Sequence, residues 1–270
     1  MLRIPTLVSL GLAGVVGCST PVTLPPANPP ARLMPLDSIV LARPAVDITT
    51  DGERLLLLEN SGTRIVTLSP VLAPGETIPL TTRLAAPLGI RADPYYIYVF
   101  DHTTLYRMSK EKLVLSVWLN SIRVAGLANY APAEMLVSDA VRGVVWYKTL
   151  FQESRLFLDA SDVSKPGPIV TLPDGLFGVV TAGSRLVCVN RTGIRVRSLP
   201  LPAGTDLIVA DPSGRLYAGN RGKPLVWTGT PWCGYELVGC ASPVSFALGS
   251  DRLFVLDSGT RILTYSVPGQ

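Results

Sequence analysis

Cys18 is the residue of this chain with the most telling chemical context. It follows an apolar run over residues 4–17 that begins just after Arg3. A basic start, an apolar segment too short to cross about 30 Å of hydrocarbon, and small residues at the cleavage point are the features of a secretory signal. The sequence therefore predicts a signal peptide over residues 1–17 and a mature protein outside the cytoplasm.

The residues before the predicted cleavage point carry a resemblance. Val15, Val16, Gly17 and Cys18 resemble the bacterial lipobox, in which the cysteine is lipidated and becomes the new N-terminus. The resemblance implies a membrane anchor of the palmitate type on Cys18. The alternative is an ordinary signal sequence in which Cys18 is incidental.

A proline-rich, almost uncharged segment follows at residues 19–35. Such a composition builds no core and favours an extended polyproline conformation. Residues 18–36 are therefore predicted to form a lipidated tether.

Ser19 is not the aspartate that retains some lipoproteins of Gram-negative bacteria in the inner membrane. The expected location is thus the cell envelope, on the periplasmic face of the outer membrane or, in a cell with one membrane, on its outer face.

Two further cysteines, Cys233 and Cys240, have six residues between them. In an oxidising compartment this spacing favours a disulfide that closes a hairpin, with two reduced thiols as the alternative. Cys188 stands in an apolar segment and is expected to be a small buried residue. A zinc site is disfavoured, because the chain has few partners that would complete a tetrahedral ligand set.

No residue stands out as catalytic. His102 is the sole histidine and follows Asp101 in a predicted turn, where a solvated turn residue is the expected role. The common hydrolase, metalloprotease, dinucleotide and P-loop motifs do not occur. The small formal charge of +4 is not gathered into a basic patch with aromatics, which argues against nucleic-acid binding. We predict no cofactor, no metal and no catalytic residue.

The elements that must position these side chains are strands. Gly and Pro are frequent and evenly scattered, and no stretch after residue 35 shows a sustained 3.6-residue apolar period. Residues 56–69 and 253–266 carry the same pattern, in which a strand, a Ser-Gly-Thr-Arg turn and a second strand follow one another. Weaker copies lie between them. The predicted strand ends are Asn60, Asp101, Asp139, Asn190, Asn220 and Asp257.

An apolar inner strand and a turn precede each copy, which makes a unit of about 40 residues. The predicted inner strands contain Val46 and Ile48, Leu88 and Ile90, Leu127, Val179 and Val180, residues 207–209, and Phe246 with Leu248. Three strands and a less regular fourth form the blade of a β-propeller. Six copies predict six blades. The uneven spacing around Asn190 leaves seven as an alternative.

This pattern resembles the NHL and TolB-like six-bladed propellers, whose blades have a strand that ends in Asp, a turn, an Arg and another strand. Arg64 and Arg261 match that Arg best. The resemblance implies an all-β propeller domain over residues 37–270. Residues 38–42 are expected to add the fourth strand to the last blade, which closes the ring and removes an open sheet edge.

The recurring Asp and Asn residues are interpreted as turn formers, because both accept backbone hydrogen bonds in tight turns. Inner-strand ends line the channel of a propeller, and there the chain offers Asp47, Arg91 and Asp206. Trp227, Trp232 and Tyr235 are candidates for binding a partner, with packing within the blades as the alternative.

Anchor, tether and fold together favour a non-enzymatic lipoprotein whose propeller binds another envelope protein or a cell-wall component. One alternative is a propeller enzyme such as a lactonase-type or other metal-dependent hydrolase, whose family would use Glu, Asn and Asp around a cation. The other alternative is a sensor of a small ligand or sugar.

Overall fold

The computed structural model describes residues 30–229 and 231–267. The predicted signal peptide, Cys18 and the first part of the tether lie outside these residues. All regular elements within them are β-strands, as the composition predicts. No helix in the described part of the chain has the length and apolarity needed to cross a membrane. The N-terminal strands are β1 (Ala31–Leu33) and β2 (Pro35–Val40).

The other strands form six sheets in chain order, which are the six blades of a propeller. Blade 1 contains β3 (Ala45–Thr50), β4 (Leu55–Glu59), β5 (Arg64–Leu68) and β6 (Pro74–Pro79). Blade 2 contains β7 (Gly89–Ala92), β8 (Tyr96–Phe100), β9 (Thr104–Ser109) and β10 (Leu115–Asn120). Blade 3 contains β11 (Val124–Ala131), β12 (Glu134–Asp139), β13 (Val144–Lys148) and β14 (Arg155–Leu158).

Blades 4 to 6 follow the same antiparallel order. Blade 4 contains β15 (Ile169–Thr171), β16 (Phe177–Thr181), β17 (Arg185–Val189) and β18 (Arg195–Pro200). Blade 5 contains β19 (Leu207–Ala210), β20 (Leu216–Gly219), β21 (Leu225–Thr228) and β22 (Cys233–Leu237). Blade 6 contains β23 (Pro243–Leu248), β24 (Arg252–Asp257) and β25 (Arg261–Ser266), and β2 is its fourth strand.

The core is divided among the interfaces between neighbouring blades. Strand β4 shows why, because successive side chains of a strand point to opposite faces. Leu55 and Leu57 pack with blade 6, whereas Leu56 and Leu58 pack with blade 2. Both faces of this strand are therefore buried, which explains an uninterrupted run of leucines in place of polar-apolar alternation. Each blade interface in the described residues has one such cluster.

The N-terminal segment closes the ring. Strand β2 pairs antiparallel with β25, from Pro35 opposite Tyr265 to Val40 opposite Arg261, and confirms the expected closure by a strand from the N-terminal side. Strand β1 adds a fifth, parallel strand to blade 5 beside β22. Within the described residues, strand pairing thus starts at Ala31, inside the segment predicted to be tether and before the predicted domain start at residue 37.

The two Ser-Gly-Thr-Arg turns join neighbouring blades. Gly62 and Gly259 have φ values of 66° and 71°, and their carbonyl oxygens accept the N–H groups of Leu84 and Ala45. A Cβ on Gly62 would lie 2.5 Å from Leu84 O, and one on Gly259 would lie 2.7 Å from Ala45 O. Only glycine fits such a turn, because it needs a positive φ and lets the next blade approach the backbone.

The predicted turn role is confirmed for Asp101 and Asp139, whereas Asp257 Oδ1 accepts the N–H groups of Ala241 and Ser242 in the segment before blade 6. Asp101 Oδ1 accepts the N–H groups of Thr103 and Thr104, each at 2.9 Å. Asp139 Oδ1 accepts those of Val141 and Arg142, each at 3.1 Å. These carboxylates satisfy the backbone donors of the turn between the second and third strands of their blades.

The assignment of blade 4 was wrong by one strand. Asn190 directly follows β17, the third strand, whereas the second strand of this blade ends at Thr181. Val179 and Val180, predicted in an inner strand, lie in that second strand, and the inner strand is the short β15. A three-residue strand after a long connection leaves almost no periodic signal. When Thr181 is taken as the end of the second strand of blade 4, the six second-strand ends are nearly evenly spaced along the chain. The seven-bladed alternative is therefore wrong.

Candidate functional site

The inner strands of the six blades surround a central channel. Its upper mouth, defined here as the end where the inner strands begin, is a cavity of about 370 Å³. Its charged or titratable lining residues are Asp47, Arg91, His102, Arg123, Asp206 and Arg221. The fold therefore brings the three channel residues predicted from the sequence to one place, together with three others.

Irregular strand pairing shapes this mouth. The pairing shifts at the first residues of three inner strands, next to Val46 in β3, Ala125 in β11 and Val244 in β23. A bulge at this point changes the direction of the following side chain. Asp47 and Ser245 come directly after two of these bulges.

Asp47 links three blades at the mouth. Its Oδ1 accepts hydrogen bonds from the hydroxyl of Ser245 and the N–H of Ile48, and its Oδ2 accepts the N–H of Ile90 and the Nη1 of Arg91, both at 2.9 Å. Asp47 as a whole is 4% exposed. Four donors on a buried carboxylate offset its desolvation and stiffen the ring where blades 6, 1 and 2 meet.

Arg91 extends from β7 into the channel. Its Nη1 also donates to the carbonyl of Ile90 at 2.6 Å, and its side chain remains 34% exposed. Arg91 lines both the upper mouth and a second cavity of about 230 Å³ within the channel, which all six inner strands surround. The guanidinium is thus held on one side by Asp47 and is open to the channel on the other.

The remaining charged groups of the mouth stand on turns. His102 and Arg221 each lie two residues beyond the end of a second strand, whereas Arg123 directly precedes the inner strand β11. These three side chains are exposed and have no hydrogen-bond partner among the described residues. Asp206 Oδ1 accepts the backbone N–H of Arg221 at 2.7 Å, which fixes the turn that carries this arginine.

The mouth is suited to polar binding and is poorly suited to a cation. It has three arginines and two aspartates, and Asp47 has both oxygens occupied. Within residues 30–229 and 231–267, no group of three His, Cys, Asp or Glu side chains could hold a metal ion. The residues of this mouth do not supply the Glu, Asn and Asp ligands that a metal-dependent hydrolase of the lactonase type would place around its cation.

The lower mouth, where the inner strands end, is wider and more apolar. Its cavity measures about 690 Å³ and is lined by Leu172, Pro173 and Phe254 among others. Its charged lining residues are Glu53, Arg54, Asp211 and Asp251. Arg54 is engaged with Asp51 and Glu76, so the carboxylates dominate at this end.

The three aromatic residues predicted to bind a partner are half-buried in blade 5. Trp232 donates its Nε1 hydrogen to the carbonyl of Pro200 at 2.8 Å and packs between blades 4 and 5. Tyr235 packs against the core between blades 5 and 6, and Trp227 lies against Gly234. All three therefore take part in packing within or between blades, and binding of a partner by these half-exposed side chains stays a prediction.

The predicted disulfide between Cys233 and Cys240 is not formed, and both are free thiols. Cys233 begins β22 and is exposed, whereas Cys240 is buried beyond the other end of that strand. A strand rises roughly 3.3 Å per residue, which carries the two Cα atoms beyond the separation of about 7 Å that a disulfide spans. No hairpin lies between them, because the chain continues from Cys240 into blade 6.

The two buried thiols have raised pKa values. Burial, with the negative charge of Asp257 beside it, raises the pKa of Cys240 to about 12, and its Sγ donates to Asp257 Oδ1 at 3.5 Å. Burial also raises the pKa of Cys188, which lies in β17 as the small buried residue that was predicted. Neither thiol is poised as a nucleophile.

Sequence reasoning missed Arg123, Arg221 and Ser245 at the upper mouth. A positional rule finds two of them, because in several blades the residue after a predicted strand end or before an inner strand lines this mouth. His102, Ala140 and Arg221 follow the predicted strand ends Asp101, Asp139 and Asn220, and Arg123 precedes β11. The rule becomes usable only when the blade boundaries are known.

Neither a protein-family model nor a curated protein matches this chain. Solved structures do. A gluconolactonase from Xanthomonas campestris has a TM-score of 0.66 at 13% identity, covering 90% of this chain and 99% of that one. The WD40 propeller domain of Doa1 has a TM-score of 0.65 at 11% identity, covering 89% and 98%.

A catalytically inactive histidine-to-alanine variant of virginiamycin B lyase from Staphylococcus aureus, solved with quinupristin, is also similar. Its TM-score is 0.61 at 12% identity, covering 87% of this chain and 89% of that one. Likeness at such low identity establishes the six-bladed β-propeller fold and leaves the activity open.

Proposed function

We propose that this chain is an envelope lipoprotein, anchored through Cys18, whose propeller is a non-enzymatic binding body that receives its partner at the upper mouth. The partner is another envelope protein or a cell-wall component. The anchor and the envelope location rest on the apolar run, the lipobox-like residues and the proline-rich segment. The binding role rests on the channel.

The observation that carries the binding role is the chemistry of the upper mouth. Arginines from different blades line it, and the carboxylate of Asp47 is occupied by four hydrogen bonds. Acid-base or nucleophilic catalysis needs a base within hydrogen-bond reach of a nucleophile or an orienting acid. His102 has no such neighbour among the described residues. The site offers groups for recognition without a catalytic pair.

One observation favours an enzyme as the second candidate. His102 lines the upper mouth, and the virginiamycin B lyase of similar fold is inactive as a histidine-to-alanine variant. In such an enzyme His102 would act as an acid or base that becomes oriented only by the substrate. A turnover assay with His102→Ala as the matched control separates the two candidates, because a binding body forms no product with either protein.

The test of the binding role is photo-crosslinking in intact cells. A photoreactive residue replaces Ala140 at the upper mouth, Pro212 at the lower mouth or Arg195 on the outer strand β18, each in the full chain with and without Cys18→Ala. We expect one specific partner from the Ala140 position, lost with Cys18→Ala. Equal capture from all three positions, or none from Ala140, would contradict the proposal.

A further inference from the structure

We propose that the upper mouth is an oxyanion site that binds a carboxylate or phosphate group. The proposal rests on the proposed function, since it names the chemical group of the partner that enters the mouth. It also goes beyond that function, because it makes a prediction for free small anions.

The donors come from separate parts of the chain. Arg91 lies on an inner strand of blade 2, Arg123 precedes blade 3 and Arg221 stands on a turn of blade 5. Guanidinium groups present several N–H donors in a plane that matches the oxygens of carboxylates and phosphates. Three arginines from different blades that line one cavity can hold an oxyanion from several sides.

The two aspartates at the upper mouth do not neutralise these guanidinium groups. Both oxygens of Asp47 are occupied, and one partner is Arg91 itself, which leaves the rest of that guanidinium available. Asp206 is exposed and accepts the backbone N–H of Arg221, so it orients the turn without contacting the guanidinium. Arg123 and Arg221 have no side-chain partner among the described residues, so both guanidinium groups are available to a ligand.

The size of the mouth restricts what can enter. About 370 Å³ is at the small end of the range for ligand sites. Walls of β-strands with Leu88, Phe100, Val124 and Phe246 exclude part of the water, which strengthens the field of the arginines inside. A carboxylate or phosphate group at the end of a narrow segment of the partner fits this space, whereas the surface of a folded domain does not.

The test uses the purified full chain in detergent and isothermal titration with two probes, inorganic phosphate and glutarate. Glutaramide, the neutral diamide of glutarate, is the control ligand. The test variant is the double substitution Arg123→Gln and Arg221→Gln, and the control variant is Arg195→Gln on β18. None of these three arginines has a side-chain partner in the described residues, so the fold is not expected to change.

We expect wild type and Arg195→Gln to bind at least one probe equally and to ignore glutaramide. The double variant is expected to bind at least about tenfold more weakly, because it loses two charge-assisted contacts. Binding of phosphate alone points to a phosphorylated partner, and binding of glutarate alone points to an acidic one. No binding of either, equal binding by the double variant, or equal binding of glutaramide would overturn the proposal.

This outcome is independent of the crosslinking result. Oxyanion binding without a captured partner would leave the site standing and remove the platform role. If the protein captures a partner at Ala140 but binds neither probe, the platform role stands and the oxyanion site is overturned.

Discussion

The two mouths of the channel are built from the same strands but differ in charge and in how their polar groups are held. At the upper mouth Asp47 ties three blades together, and the arginines there outnumber the acids. At the lower mouth Asp211 serves its own blade, where it accepts the N–H groups of Ser213 and Arg215. The repeat sets the shape of both ends, whereas individual residues on the turns give each end its own chemistry.

The largest expected effect comes from removing the inter-blade carboxylate. Asp47→Ala leaves Arg91 without its ion pair and three other donors without their acceptor, so it should lower the free energy of unfolding by about 3 kcal/mol. Asp211→Ala at the lower mouth should cost about 1.5 kcal/mol, because its backbone and hydroxyl partners all lie within its own blade. Urea unfolding of both variants measures the difference. An equal loss of unfolding free energy in the two variants would contradict the view that the upper carboxylate alone holds neighbouring blades together.

The next effect concerns glycines with positive φ at the two ends. Gly259 lies on the upper face, where a Cβ would lie 2.7 Å from Ala45 O, whereas Gly52 at the lower mouth has no atom within 4 Å of that position. Gly259→Ala should cost about 2.5 kcal/mol, from steric overlap and backbone strain together. Gly52→Ala should cost about 1 kcal/mol, from strain alone.

Thermal unfolding monitored by circular dichroism checks this pair. A Gly52→Ala variant as unstable as Gly259→Ala would show that the approach of the next blade is not what requires glycine at the upper turn.

The smallest effect is a pH dependence at the upper turns. Burial alone would raise the pKa of Asp139, but hydrogen bonds from Arg142 and Val141 outweigh it and hold this pKa below its usual value. A lowered pKa in the folded state means that the carboxylate stabilises the fold above about pH 4 and that this contribution disappears as the pH falls through the folded pKa.

Unfolding free energies measured between about pH 5 and about pH 2 should therefore fall less steeply for Asp139→Asn than for wild type. The matched control is Asp37→Asn, whose aspartate is exposed on β2. If both variants keep the slope of wild type, Asp139 does not carry the predicted contribution.

Much of the fold was predictable because the signals of a blade are local. Antiparallel strands joined by tight turns place Asp101 and Asp139 in equivalent positions, and the turn chemistry of Asp is readable without tertiary contacts. Blade 4 was not predictable in the same way. Its inner strand β15 has three residues, and Asn190 makes a turn like those of the other blades although it follows a different strand.

The candidate site was predictable only in part. Asp47, Arg91 and Asp206 follow from the rule that inner-strand ends line the channel. Arg123 and Arg221 do not, since a turn residue reaches the mouth only when the blade is oriented in the ring. The disulfide failed for a related reason, because a spacing in sequence does not say whether the intervening residues turn back or extend as β22 does.

The sequence by itself determined the strands and turns outside blade 4, the number of blades most consistent with the repeat and the closure of the ring by a segment before blade 1. These depend on alternation and turn chemistry over short stretches of chain. Tertiary structure alone decided which charged residues share a mouth and which cysteines are apart. Closing six blades into a ring brings residues that are far apart in the chain to one channel end, and no local pattern records that convergence.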